Sequence, residues 1–399
     1  QRGGRHREMP GVGEIPRGEV REMAAMTRRE RILATSQKKR GDRLPFFHWW
    51  RHLQIGGAER ECRNRGMGLA WDRPCYVTRI HNVVITEEKN PSRPGVVRIT
   101  YSTPQGSVYM DEKRDPGTGQ WHEQRSWKDV SPWALKRLIR EPEDYEIVKY
   151  IVENTEYLPD YFPIEQAKEW VGDEGVVLAS LHKTPMARLM IEWIGSEEGR
   201  FYIHHKKYHD PLEDLYAAMC KSMEPLYEIA AKSPADLVWM GENTEGLLVS
   251  PPLFEKYFMP VYEKCARVFH EHGKRMAVHM DGRLNVLKNL IARTPIDIIE
   301  AFHPLPMGDL PLNEALAVWK EKVIWIGFPA AIYSLGSAAV KDYTLELLSS
   351  VVPGDRLTIA MSTENLVTDE HLRLLTSILE NAELPLTEEK IERIKRALS

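Results

Sequence analysis

Cysteine is scarce in this chain: its 399 residues include only Cys62, Cys75, Cys220 and Cys265, widely spaced and with no CxxC pair. That argues against a disulfide framework and for reduced thiols in a cytoplasmic protein. Long apolar runs are also missing, and none approaches the ~20 residues needed to span a bilayer. The net charge of -4 gives no electrostatic case for binding nucleic acid or an anionic membrane. No Gly-rich phosphate loop follows the first predicted strand, which counts against an open dinucleotide-binding sheet. There is no internal repeat.

Tryptophan, by contrast, is plentiful, with eleven in all. Most are expected in the core, with some lining a pocket for a flat or apolar ligand. Residues 1–25 are rich in Arg, Glu and Gly and do not read as a secretory signal. They are expected to form a disordered leader, the alternative being an arm that packs on the partner in a homodimer. From Met26 a regular amphipathic helix begins, with Thr27 as its N-cap.

Three apolar runs end in polar groups and are each followed by a helical pattern. The first ends in His279-Met280-Asp281-Gly282, the second in Glu300 and His303, the third in Glu364. Side chains alternate along a strand, so His279 and Asp281 should share a face. Other strands are expected at 44–50, 176–182, 236–243 and 322–329, with helices at 252–272, 310–320, 338–351 and 370–380. Strands alternating with helices imply a parallel sheet, and this many units favour an α/β fold of the (β/α)8 TIM-barrel type. Residues 76–125 are β-rich and predict an antiparallel insertion of about three strands, a cap over the site. Residues 26–399 then form one barrel carrying that insertion.

Functional groups of such barrels gather at the C-terminal strand ends. That rule brings together His182, Glu242, Asn243, His279, Asp281, Glu300, His303 and Glu364. Imidazole and carboxylates suit zinc, with three protein ligands and an open position. The bland alternatives are that Asp281 caps a helix starting near Arg283 and that His279 is a core histidine. Glu364 has a similar alternative at the start of the next helix, and Glu300 could pair with an arginine. His48-Trp49-Trp50-Arg51 offers aromatic walls and a cation for an aromatic or carboxylated ligand, or else a packed strand end with a surface ion pair. His204-His205 reads as solvated, and Cys220 and Cys265 as buried in helices.

From Met26 onward the chain resembles the uroporphyrinogen decarboxylase superfamily. The resemblance is carried by Met26-Thr27-Arg28-Arg29-Glu30-Arg31, Asp42-Arg43-Leu44-Pro45, Ser250-Pro251-Pro252-Leu253-Phe254, His272-Gly273-Lys274 and His279-Met280-Asp281-Gly282. It implies a distorted (β/α)8 barrel, with activities that include decarboxylation in the haem pathway and zinc-dependent methyl transfer to corrinoid proteins. True decarboxylases carry an Arg-Gln-Ala-Gly-Arg-like segment where this chain has His48-Trp49-Trp50-Arg51-His52. The thiol-methylating members bind zinc through His-x-Cys and a later cysteine, where this chain has Asp281 and, near the later position, Glu364.

The resemblance therefore looks closest to methyltransferases that demethylate methoxylated aromatic compounds and pass the methyl to a corrinoid protein. It implies zinc on His279, Asp281 and Glu364, with Glu242 or Glu300 as a fourth ligand or acid and His303 among the catalytic groups. Trp49, Trp50 and Phe328 would pack the ring, with His48, Arg51, His182 and Asn243 also at the substrate, and the cobalamin would arrive on its partner protein. Two other readings stand beside it. One is a metal-free, uroporphyrinogen-decarboxylase-like carboxy-lyase using Arg51, Arg79 and Asp281; the other is a non-catalytic barrel acting as a binding or scaffold subunit.

Overall fold

The structure is a computed structural model that describes residues 25–114, 133–361 and 367–398. The expected leader at 1–25 lies almost wholly outside them, as do Glu364 and the expected far end of the insertion near 125.

Eight parallel strands close into a barrel. They are β1 (Phe46–Trp49), β2 (Gly68–Pro74), β9 (Gly175–Leu181), β10 (Leu237–Met240), β11 (Met276–His279), β12 (Ile298–Phe302), β13 (Val323–Gly327) and β14 (Leu357–Ala360). Their order around the barrel is β1-β14-β13-β12-β11-β10-β9-β2. The remaining strands are β3 (Tyr76–Ile80), β4 (Val84–Lys89), β5 (Val96–Thr103), β6 (Gly106–Lys113), β7 (Trp133–Lys136) and β8 (Thr155–Pro159). They build the insertion as two antiparallel sheets, β3-β8 and β4-β5-β6-β7. The described residues of the insertion thus hold more than the three strands expected, and its β3 and β4 are separated where Asn82 takes a φ of 56°.

Alternation sorts the barrel side chains into two layers. Phe47, Trp49, Leu237, Ala277, Ile298, Val323, Trp325 and Ala360 fill the interior. Val238, Val278, Ile299, Ile324 and Ile359 face outward into the larger core beneath the helices. The interior is strongly aromatic: the ring centroids of Phe47 and Trp325 lie 5.0 Å apart, and those of Trp49 and Trp239 6.0 Å.

The N-terminal end of the barrel is closed by α1 (Arg28–Ser36), which starts with the expected Thr27 cap. Thr27 and Glu30 form a reciprocal capping box, satisfying two otherwise orphaned amides. Ile32 reaches up into the barrel interior, a burial worth roughly 1.5–3 kcal/mol. Arg29 grips the Asp236 carboxylate with both terminal nitrogens at the foot of β10. Gly175, at the foot of β9, has no room for a side chain, because a Cβ there would lie 2.0 Å from the Leu69 carbonyl oxygen. With this end plugged, the chemistry is left to the C-terminal end. Among the described residues no helix is long and apolar enough to cross a membrane.

Candidate functional site

At the C-terminal mouth, three neighbouring strands place Trp239, His279 and Glu300 together. Leu237 and Trp239 share the inward face of β10, as Ala277 and His279 do on β11. His279 stands in register with Glu300 of β12. The next residue, Ala301, has a φ of 58°, and the β12–β13 register shifts between Ile299 and Phe302. This bulge re-aims the strand so that Phe302 returns to the outer core and Glu300 stays over the barrel.

The Glu300 carboxylate accepts from Trp239 Nε1 and lies 2.7 Å from His279 Nδ1, both contacts at Oε2. His279 Nε2 then faces Asp281, 3.7 Å from its Oδ2. Burial opposes charge on the imidazole, but the two carboxylates outweigh it and raise its pKa to about 9. Burial also opposes charge on Asp281 and Glu300, and the His279 cation outweighs it at both, holding both carboxyls below their ordinary range. The helix expected to be capped by Asp281 does not start there: the next turn runs over Asn285–Leu287 with Leu284 at its N-cap position.

Arg51 closes this group from the turn that follows β1, Trp50–His52. Its guanidinium lies over the rings of Trp49 and Trp239, at 4.6 and 5.2 Å from their centroids, and bonds Asp72 of β2 at 2.8 Å. Its charge also favours the ionised form of Glu300. His303, just past β12, packs so closely over Gly327 that a Cβ there would lie 2.8 Å from its Nε2, and its charge is felt at Asp281.

Other residues expected at the site lie elsewhere. Trp50 points outward and stacks on Trp71 at 4.5 Å. His48 is buried in the outer layer, where desolvation pushes its pKa down to about 4. Phe328 is buried between Tyr333 and Tyr343 rather than at the mouth. His182 sits under the insertion against Tyr76 and Tyr157. Asn243 is exposed and accepts from Lys183 Nζ. Glu242 is fully buried and accepts from both the amide and the hydroxyl of Thr184, tying the end of β10 to that of β9. Burial, only partly offset by Thr184, raises its pKa to about 7.

The sequence reading did not single out Trp239 or Asp72. The signal for Trp239 was present, since it alternates with Leu237 onto the face that carries His279 on the next strand.

The donors at the mouth suit a metal ion in one respect. A ligating histidine usually gives its second ring nitrogen to a carboxylate, and Glu300 takes that place behind His279. Among the described residues, the one group of three donors close enough for a single ion is elsewhere. It comprises His205, His209 and Glu213, on the consecutive helices Arg200–Lys207 and His209–Ser222. There Glu213 already accepts from Lys256 and Tyr257. His204 is not solvated as expected but buried, bonded to the Tyr145 hydroxyl. All four cysteines are free; Cys265 is buried and Cys220 only half-buried.

No family model and no curated protein matches the chain. Among solved structures, a methyltransferase from Methanosarcina mazei superposes with a TM-score of 0.50 at 12% identity, covering 88% of this chain and 98% of that one. Endo-glycoceramidase II from Rhodococcus sp., as its lactosyl-enzyme intermediate, aligns over 51% of this chain and 60% of that one, with a TM-score of 0.31 and 11% identity. At 12% identity the likeness to the Methanosarcina mazei protein is one of fold alone.

Proposed function

We propose that this chain is a methyltransferase that demethylates a methoxylated aromatic compound and passes the methyl group to a corrinoid protein. The observation that carries the reading is the Glu300–His279 pair beside Asp281, set against Trp49, Trp239 and Arg51 at the barrel mouth. The barrel shared with the Methanosarcina mazei methyltransferase is consistent with it.

Demethylating an aryl ether breaks the methyl carbon–oxygen bond and leaves the electron pair on the aryl oxygen. A phenol has a pKa of about 10, so its oxygen leaves more readily with a cation or a proton beside it. His279 and Asp281 would hold zinc, with Glu364 as the third donor; bound there, zinc supplies Lewis acidity to the departing oxygen. Glu300 acts from behind, since accepting the Nδ1 proton fixes the tautomer that leaves Nε2 facing Asp281. In the ion-free protein the same Nε2 carries a proton, kept by the two carboxylates. Trp239, partly buried at the mouth, offers apolar surface for the ring, with Trp49 packed beneath it, and Arg51 is placed to meet a ring carboxylate. The open mouth then receives the corrinoid protein.

Metal content and methyl transfer test this reading together. Purified protein should carry about one zinc per chain, as for a single catalytic site, and His279→Ala should lose it. Methoxybenzoate with a corrinoid protein should then yield the phenol and a methylated corrinoid. Absence of zinc, with release of carbon dioxide from an aromatic or porphyrin carboxylate, would instead favour a carboxy-lyase.

A further inference from the structure

A cavity of about 400 Å³ lies between the insertion and the barrel, enclosed by β3, β5 and the helices Asp144–Glu153 and His209–Ser222. None of Trp49, Arg51, Trp239, His279, Asp281 or Glu300 lines it. The volume falls within the ~300–1,000 Å³ typical of small-molecule sites. Its wall is mainly aromatic and aliphatic, with Tyr76, Tyr101 and Tyr157 opposite Met219 and Met223. Phenol rings give flat apolar area, and methionine adapts its shape to a guest.

The polar groups gather at one end. His182 Nδ1 lies 3.1 Å from the Lys183 carbonyl oxygen, to which it can only donate. Burial, and then the charge of Arg188, push its pKa down to about 3, so the ring is a neutral imidazole. With Nδ1 donating, its Nε2 accepts from the Tyr157 hydroxyl 3.1 Å away. Arg188 is the cation of the cavity, and no carboxylate lines it among the described residues.

The guanidinium of Arg188 lies over the Trp193 ring of the cavity wall at 4.4 Å and is braced from outside by the part-exposed Glu192 at 3.1 Å. Arg188 and Trp193 bound a π-helical segment, a rare geometry that recurs at functional sites. A largely apolar chamber whose one lining cation is the half-buried Arg188, with its partner Glu192 outside the lining, suits a single negative charge and has no second positive group for a dianion.

We infer that this cavity is a second small-molecule site, taking an aromatic monocarboxylate whose ring lies among Tyr76, Tyr101 and Tyr157 and whose carboxylate meets Arg188. The inference does not rest on methyl transfer and needs neither a metal nor a corrinoid. The test is calorimetric titration of the full chain with naphthoate and with its uncharged counterpart naphthamide. Naphthoate should bind at one site per chain, and Arg188→Gln should weaken it about tenfold or more, the scale of a lost charge-assisted hydrogen bond, leaving naphthamide unchanged. Met219→Trp, which fills the chamber, should abolish binding of both. Thr78→Trp, a change at an exposed lining residue that the fold should tolerate, should weaken both. No saturable naphthoate binding, or binding indifferent to Arg188→Gln or to both tryptophan variants in chains that circular dichroism shows to be folded, would overturn the assignment.

Discussion

Glu300 and His279 meet through a single oxygen: Oε2 of the carboxylate lies 2.7 Å from Nδ1 of the ring and accepts from Trp239 Nε1 as well. Glu300 is almost wholly buried, so its charge is sustained by these partners rather than by water. The carboxylate therefore orients the histidine instead of reaching for a ligand itself, which refines the expectation of Glu300 as a metal ligand or acid.

Replacing Glu300 by Gln should therefore damage zinc binding without removing a ligand. The amide can accept at its oxygen, but it no longer offers a charge to hold the Nδ1–H tautomer. Partners of this kind are worth roughly 10–100-fold in metal affinity. A competition titration with a fluorescent zinc chelator should show a loss of that size for Glu300→Gln, and a larger one for His279→Ala. Equal affinity in Glu300→Gln and the parent would remove Glu300 from the site.

Trp239→Phe takes away only the other donor to Glu300. A hydrogen bond to a charged group contributes about 1.5–3 kcal/mol, while the phenyl ring still offers Arg51 a face, though a weaker one than the indole. Urea unfolding should show a stability loss in that range. Double-mutant analysis with Glu300→Gln should show the two changes to be less than additive, since the indole N–H supports the charge that Glu300→Gln removes. Strict additivity would mean that the indole N–H does not support the carboxylate.

The bulge that aims Glu300 makes its own prediction. Ala301 is buried and holds a φ of 58°, a region costing roughly 1–2 kcal/mol for a residue with a Cβ. Ala301→Gly should therefore be neutral or slightly stabilising in urea unfolding. Ala301→Val should cost about 2 kcal/mol or more, because a β-branched residue fits this conformation worst. A valine variant as stable as the parent would show that the bulge is not there.

Much of the barrel was legible from apolar runs, and where the reading stopped the reason is physical. Seven of the eight barrel strands were expected from mainly apolar segments, but β2 ends in Asp72-Arg73-Pro74, and Asp72 is spent on Arg51. The pairing of β3 with β8 joins segments far apart in sequence, which no local pattern reports. At the site, strand alternation put His279 and Asp281 on one face and the strand-end rule added Glu300, while that rule also gathered His182, Asn243 and Glu242, which lie apart from them. Those three belong to the β9 and β10 ends, where the insertion and the Thr184 contacts draw them aside. The bulge was invisible because no glycine marks it.

Glu242 offers a test by pH. Its carboxyl titrates near 7 in the folded chain, against an ordinary value of 4.5. Between those two values the native state binds a proton that the unfolded chain has released, so stability falls as pH rises through the window. Above pH 7 the full cost applies, about 3 kcal/mol for a shift of this size. A glutamine at this position would have no proton to lose, and its amide can still accept from the Thr184 backbone while the Thr184 hydroxyl turns to accept from it. Glu242→Gln should therefore match the parent in urea unfolding near pH 4.5 and gain on it progressively towards pH 8. Comparing variant with parent at each pH cancels the other titrating groups, His279 among them. A constant difference across that range would mean that Glu242 stays ionised in the fold, and that the Thr184 donors outweigh its burial.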